Sequence, residues 1–518
     1  MANNTTTTLP DVVDLLIVGG GVNGTGTARD AVGRGLSVLL CEKDDLAQGT
    51  SSRSGKLIHG GLRYLEYYEF RLVRESLTER EVVMRMAPHI VWPMRFVLPH
   101  NKGTRPAWLV RLGLFLYDHL GGRERLPGTR SINLRKDPEG KPLKPEFTKA
   151  FEYSDCWCDD ARLVVLNALS AAEKGATILT RTAFVGARRD GKVWRADLQD
   201  RRSGQVRQVS ARAIVNLAGP WVDDVLGVAQ GVKSTRRVRE VKGSHIVVPK
   251  FWDGPQAYLV QNTDKRVIFI NPYEGKYALI GTTDITYKGD VDQVQIDDSE
   301  VDYLCNVVNR YFVKPISPAD VVYKFSGVRP LLEDEADNPS AVTRDYQIDI
   351  DGDQSTPVFL SVFGGKLTTY RKLAKHALER LQPFFPQMGK PWTDQEPLPG
   401  GDMPNADFDA YLKQFSAEHS WLPADLVRHY LRRYGTRARR IVQGAKSLAD
   451  LGTHFGGHCH ERELRYLVDE EWAEEAEDVL WRRTKHGLHL TPAERDAVGR
   501  WLAQNVPAAA AGPRSASA

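Results

Sequence analysis

The stretch Leu15-Leu16-Ile17-Val18-Gly19-Gly20-Gly21-Val22-Asn23-Gly24-Thr25-Gly26 decides the fold. An apolar run breaks into glycines, and a segment of small, helix-permissive residues follows as far as Arg34. That is a first strand, a tight turn and the opening of a helix. Gly19, Gly21 and Gly24 fall on the G-x-G-x-x-G spacing: one glycine for the turn, one for backbone approach to a pyrophosphate, one for close helix–strand packing. The helix N-terminus presents unpaired N–H groups to the phosphates. A second apolar run, Ser37 to Cys41, ends in Glu42, 18 residues past Gly24 and placed to accept a bond from a ribose hydroxyl. The pattern predicts a dinucleotide site. Its place ahead of every other element points to FAD rather than a nicotinamide.

Working outward, the loop Asp45 to Tyr64 is dense in glycine and serine, including Ser51 and Ser52, and suits backbone lying against a flat cofactor. It also gathers Lys56, His59 and Arg63, and Gly60-Gly61 beside a histidine is costly in backbone entropy unless something approaches closely. Residues 66–87 read as a charged helix. Arg105 to Tyr117 is short, strongly apolar and flanked by arginine, the composition of a buried helix or of a membrane-surface element. Asp159-Asp160 caps a helix to Lys174. Strands 193–198 and 206–210 form a hairpin, and Ala213 to Ala218 is an apolar strand ending at Gly219, near the cofactor. The segment 240–350 is strand-rich with one clear helix, 299–312. Val358 to Val362 returns to a buried strand. Gly364-Gly365 then precedes a helix and is placed to offer N–H groups to a flavin, with Leu367 and Thr368 just beyond. The helix 367–381 carries an apolar stripe (Tyr370, Leu373, Ala374, Ala377, Leu378, Leu381) beside basic residues, which suits a core position or an anionic membrane.

The expected class is α/β: a Rossmann-like FAD domain, discontinuous over 11–75, 150–225 and 355–395; an antiparallel-sheet substrate domain over 76–149 and 226–354; and an α-helical C-terminal domain over 399–505. Residues 1–10 and 506–518 read as disordered. The 518 residues suit two or three domains, with 42% hydrophobic and 26% charged side chains. A net charge of +4, from 70 basic and 66 acidic residues, lacks the basic excess of a nucleic-acid binder. Five scattered cysteines fit a reducing compartment. The N-terminal residues have no basic start and no apolar core, so no signal peptide is expected. No window approaches 18 uninterrupted apolar residues.

Oxidising an alcohol on a flavin needs a base for the hydroxyl proton and positive charge for an anionic substrate. His59 suits the first task. Arg63, Arg329 and Lys366, each in a glycine-flanked turn, suit the second, and arginine's fork matches phosphate or carboxylate oxygens. His454, His458, Cys459 and His460 have metal-ligand side chains, but Gly456-Gly457 argues against a shared helix face, and no metal is expected. Cys156 and Cys158 are too close together for a redox pair.

Several longer strings resemble the bacterial aerobic, FAD-dependent glycerol-3-phosphate dehydrogenases: Ser51 to Glu66, Phe151 to Trp157, Lys242 to Pro249, Gly281 to Asp284, Ser326 to Leu331 and Phe363 to Tyr370. The likeness spans about Asp14 to Trp501. It implies a glutathione-reductase-type FAD fold with non-covalent FAD, a sheet domain over the flavin and a helical cap. It implies oxidation of sn-glycerol 3-phosphate to dihydroxyacetone phosphate, with electrons passed to a membrane quinone, by a peripheral protein on the cytoplasmic face of the inner membrane or in the cytoplasm; a homodimer is compatible with it. Carried over, the pattern assigns His59 to the C2 hydroxyl and Arg329 to the phosphate, with Arg63, Tyr64 and Lys366 lining the pocket. Gly19, Gly20, Gly21, Asn23, Gly24 and Glu42 hold the ADP half of FAD. Arg53 and Gly55 depart from the usual small residues of the first string. An oxygen-reducing glycerol-3-phosphate oxidase would share the pocket, and a non-catalytic FAD-binding module is the rival of another class.

Overall fold

The computed structural model describes residues 12–101, 105–234, 236–332 and 345–506. The glycine stretch lies at the centre of the first of two large sheets. Its strand Val12–Val18 runs parallel to Val38–Cys41 on one side and to Val206–Asn216 on the other. Thr177–Leu179 extends the sheet beyond Val38–Cys41, and Val358–Gly364 beyond Val206–Asn216, both in parallel. These strands are apolar almost without break because helices cover one face and a hairpin layer the other. The helix Val22–Gly33 packs between Asp160–Glu173 and Tyr370–Leu381. Asp159 accepts a bond from the Arg162 N–H and so caps the second of these.

The helix Tyr370–Leu381 decides between the two readings of its stripe, core and membrane surface. Its whole stripe, Tyr370, Leu373, Ala374, Ala377, Leu378 and Leu381, is buried under the parallel sheet. A helix that fills a core with its apolar face has none left for a lipid surface. The hairpin expected at 193–210 forms, and its second strand runs on beyond residue 210. Val206–Asn216 is one continuous strand, antiparallel to Val193–Asp200 over its first half and parallel to Val12–Val18 from Ser210 to Asn216, so it joins the hairpin to the central sheet.

Among the described residues the second sheet has ten strands and is antiparallel but for the pair Ala257–Gln261 with Val91–His100. It includes Lys149–Cys158, placed by sequence with the FAD segments from residue 150, whereas Tyr346–Asp351, placed with the substrate segments, pairs with Val358–Gly364 in the first sheet. Leu57–Ile58 pairs with Lys149–Cys158, so the chain leaves the first sheet, crosses to the second and carries His59 out at its edge.

From residue 408 onward the chain is mostly helical with its own core, around Phe415, Tyr430, Tyr434, Leu464 and Leu467. It is clamped to the first domain by buried ion pairs. Asp45 takes Arg482 at 2.6 Å and Arg483 at 2.7 Å, and Arg162 is bidentate on Glu471. Burial alone would push the Asp45 carboxyl up, but the two arginines outweigh it and hold it well below the usual carboxylate range. Removing one member of such a pair typically costs about 3–5 kcal/mol, because the other charge is left buried. The helical domain therefore holds the loop that follows Glu42. Val506 follows its last helix, Pro492–Asn505; residues 1–11 and 507–518 lie outside the described residues.

Candidate active site

One large cleft, about 990 Å³, runs between the two sheets. At one end are Gly19, Gly21, Asn23, Glu42 and Ser51; at the other are His59, Arg63, Tyr64, Arg329 and Lys366, with Gly219, Gly364, Gly365, Leu367 and Thr368 between. Gly20, Gly24 and Ser52 do not line it. Gly20 donates its N–H to Glu42 Oε2 at 2.6 Å, Gly24 packs behind the turn, and the Ser52 carbonyl accepts from the buried Lys56 ammonium at 3.2 Å.

The glycine end is shaped for a nucleotide. Gly19 has φ +114°, a left-handed value that favours glycine, and a Cβ on Gly24 would stand 1.9 Å from the Gly19 carbonyl oxygen. The Ser51 hydroxyl accepts from Val22 N–H at 3.0 Å at the start of the helix. Asn23 Oδ1 is buried with no partner among the described residues, a polar atom aimed where a ligand donor fits. Glu42 takes the Gly20 and Asp44 N–H groups, and burial pushes its carboxyl up to about 7. A ribose hydroxyl beside it would supply a further donor. The residues present fit FAD.

At the other end, the strands Val238–Pro249 and Tyr323–Leu332 pair so that Val241 faces Arg329 and Gly243 faces Gly327. The Arg329 guanidinium pairs with Asp284 and donates to the Thr282 hydroxyl at 3.1 Å, which fixes the plane of its fork. Lys366 lies over the Tyr64 ring, 4.9 Å from its centre. The His59 ring stands edge-on to Phe269, and its backbone N–H donates to the Thr368 hydroxyl at 3.2 Å. His59 and three cations, from three separate segments, thus line one cleft.

Sequence reasoning left out His245, Phe269, Thr282 and Asp284, all lining this end. His245 is stacked on Phe325, and burial, together with the charges of Arg329 and Lys56, pushes its imidazole down to about 3, so it stays neutral. A signal was present: Gly243 and Gly281 interrupt strand runs, and glycine there marks close approach. A Cβ on Gly281 would lie 2.2 Å from the His245 ring.

The histidine-rich segment of the helical domain forms no single cluster. Gly456-Gly457 turns a hairpin; His454 stacks on His460 across it, His458 pairs with Asp425 at 3.1 Å, and Cys459 is buried. Among the described residues, the one group close enough to hold a metal is His429, Glu463 and His486. Its rings stack at 4.7 Å, and each Nε2 lies 2.9 Å from a different oxygen of the carboxylate. The Tyr434 hydroxyl donates to that carboxylate at 2.7 Å. This arrangement is a hydrogen-bonded clamp of two stacked imidazoles on one carboxylate.

A parallel sheet with a glycine-turn nucleotide end, opening into a cationic pocket with a histidine, defines a flavin-dependent oxidoreductase. The profile of the FAD dependent oxidoreductase family matches residues 14–371, and that of the C-terminal domain of alpha-glycerophosphate oxidase matches 391–503. A D-erythritol 1-phosphate dehydrogenase of Brucella abortus is 61% identical over 95% of this chain and 98% of its own length. The aerobic glycerol-3-phosphate dehydrogenase of Escherichia coli K12 is 50% identical over 95% and 97%. The structure of glycerol-3-phosphate dehydrogenase from Bacillus halodurans complexed with FAD superposes with a TM-score of 0.74 at 25% identity, covering 97% of this chain and 95% of that one. The chain belongs to the FAD-dependent oxidoreductase family, in the branch that holds the aerobic glycerol-3-phosphate dehydrogenases.

Proposed function

We propose that the enzyme oxidises the secondary hydroxyl of a short phosphorylated polyol, sn-glycerol 3-phosphate to dihydroxyacetone phosphate, and passes the electrons to a membrane quinone. The observation that carries this reading is the meeting of His59, Arg63, Arg329 and Lys366 at one end of the FAD cleft. When bound, FAD supplies the two-electron acceptor. The chain's own residues do the rest. Arg329, oriented by Asp284 and Thr282, offers its fork to the phosphate oxygens, with Arg63 and Lys366 adding charge. His59 takes the hydroxyl proton on its imidazole as the hydride departs. The apolar walls, including Phe269, exclude water.

The 61% identity to a D-erythritol 1-phosphate dehydrogenase favours a second substrate reading, a phosphorylated tetritol in the same pocket. Anaerobic titration of the yellow protein with sn-glycerol 3-phosphate and with D-erythritol 1-phosphate tests both. The substrate bleaches the flavin absorbance at the lower concentration, and failure of both to bleach it refutes the reading. In the same titration Arg329→Ala should need about 30-fold more substrate while keeping its FAD, the size of a lost charge-assisted hydrogen bond to an anion. Equal losses of FAD and substrate binding would remove Arg329 from the substrate site. Reoxidation by a quinone analogue rather than by oxygen separates dehydrogenase from oxidase.

The membrane part of the reading rests on the helix Ala107–Leu120. Its Trp108, Leu112 and Phe115 are 70%, 47% and 51% exposed, although Leu109, Leu112 and Leu116 also line the cleft. A large apolar face flanked by Arg105 and Arg111 suits an anionic bilayer surface and opens the cleft toward lipid-dissolved quinone. No helix among the described residues is long and apolar enough to cross a membrane. Trp108→Ser with Phe115→Ser should abolish flotation with anionic vesicles and leave flavin reduction by substrate unchanged. Undiminished flotation would exclude this face as the docking surface.

A further inference from the structure

The mechanism leaves one buried polar group unused, and it touches the backbone beside His59. Tyr117, Asp155 and Arg80 come from the helix Ala107–Leu120, the strand Lys149–Cys158 and the helix Phe70–Met86, and each is at most 3% exposed. Arg80 donates to Asp155 Oδ1 at 2.8 Å and to the Ser154 carbonyl at 3.0 Å. The Tyr117 hydroxyl donates to the same carboxylate at 2.8 Å and accepts the Gly60 N–H at 2.8 Å. Asp155 Oδ1 lies 3.3 Å from that N–H as well. Gly60 is seated so closely that a Cβ would stand 2.4 Å from Leu77 and 2.7 Å from the Tyr117 oxygen. From the other side, the Thr368 hydroxyl takes the His59 N–H.

We propose that Tyr117, oriented by Asp155 and Arg80, is the positioning residue for His59: it holds the His59–Gly60 peptide so that the imidazole meets the substrate hydroxyl. The proposal rests on the reading of His59 as the base. Two consecutive peptide N–H groups, those of His59 and Gly60, are held from opposite sides by hydroxyls, and the side chain between them has little freedom to drift. Burial, with the Asp155 charge beside it, pushes the Tyr117 hydroxyl well above its usual range, so it keeps its proton and its donor role. Proton transfer is sensitive to such placement, because a displacement of about 1 Å at a reacting group can cost about 100-fold in rate.

Tyr117→Phe removes one oxygen and keeps the ring that stands edge-on to Tyr153 at 5.8 Å. In the FAD-loaded, full-length enzyme, anaerobic stopped-flow with the better substrate should show flavin reduction slowed about tenfold at saturation. FAD content should be unchanged, and the half-saturating substrate concentration should stay within about threefold of wild type. Asp155→Asn, which keeps the side-chain size, should slow reduction in the same way and serves if Tyr117→Phe yields no folded protein. The double variant His59→Asn with Tyr117→Phe should be no slower than His59→Asn alone. Wild-type reduction by Tyr117→Phe, or losses that add in the double variant, would overturn the proposal. Wild-type reduction by His59→Asn alone would instead refute the base reading, and the proposal with it.

Discussion

Replacing His59 by Asn is expected to slow flavin reduction by about 10²- to 10⁴-fold, the usual contribution of a placed general base. The size follows from the pocket. His59 stands at the edge of the second sheet, its ring edge-on to Phe269, its backbone N–H on Thr368. Those backbone bonds survive the substitution, and Asn adds no bulk. FAD content and substrate affinity should therefore stay close to wild type, with the loss confined to the reduction rate. Rapid mixing of the oxidised enzyme with substrate under argon reads that rate directly. A variant that reduces its flavin at the wild-type rate would assign proton removal elsewhere, and His245, kept neutral in the same pocket, would be the next candidate.

Gly24→Ala should remove the flavin altogether. The added Cβ would sit 1.9 Å from the Gly19 carbonyl oxygen and 3.0 Å from its carbon. Both contacts are backbone, so no side chain can turn away, and the turn itself must open. That turn also places the first helix against its strand, and the phosphates of FAD depend on both. The variant should purify colourless, with FAD occupancy at least tenfold lower by absorbance ratio, and with a lower melting temperature. Gly227→Ala is the matched control. Gly227 lies on the helix Val222–Val228, is exposed, and a Cβ there meets nothing within 4 Å. Its flavin should be unaffected. A yellow Gly24→Ala protein would show that the turn tolerates a wider path than its geometry indicates.

Local signals carried far in this chain. The strand–glycine–helix turn at 15–26, the acid at the end of the next strand and the buried strand before Gly364-Gly365 are near-neighbour patterns, and each sits where short-range backbone geometry demands it. Gly456-Gly457 argued against a helix for the same reason, and a hairpin turns there. The helix 370–381 was ambiguous, because an apolar stripe has the same period whether a sheet or a lipid surface covers it. Only packing under the parallel sheet decided between them.

The site divides along the same line. His59, Arg63, Arg329 and Lys366 could be singled out from residue chemistry and flanking glycines, as could the likeness to a family. That they share one pocket depends on two sheets bringing together positions about 300 residues apart. His245 was marked only indirectly, by the close-approach glycines Gly243 and Gly281, and the Tyr117–Asp155–Arg80 group gave no signal of its own, since its members act through partners on other elements. The local run of residues sets which turns, strands and helices can form, because those are governed by torsions and neighbouring side chains. Which charges stand together, and which apolar face stays in water, is set only when the elements pack, because Coulombic and hydrogen-bond energies depend on distance in space and not along the chain.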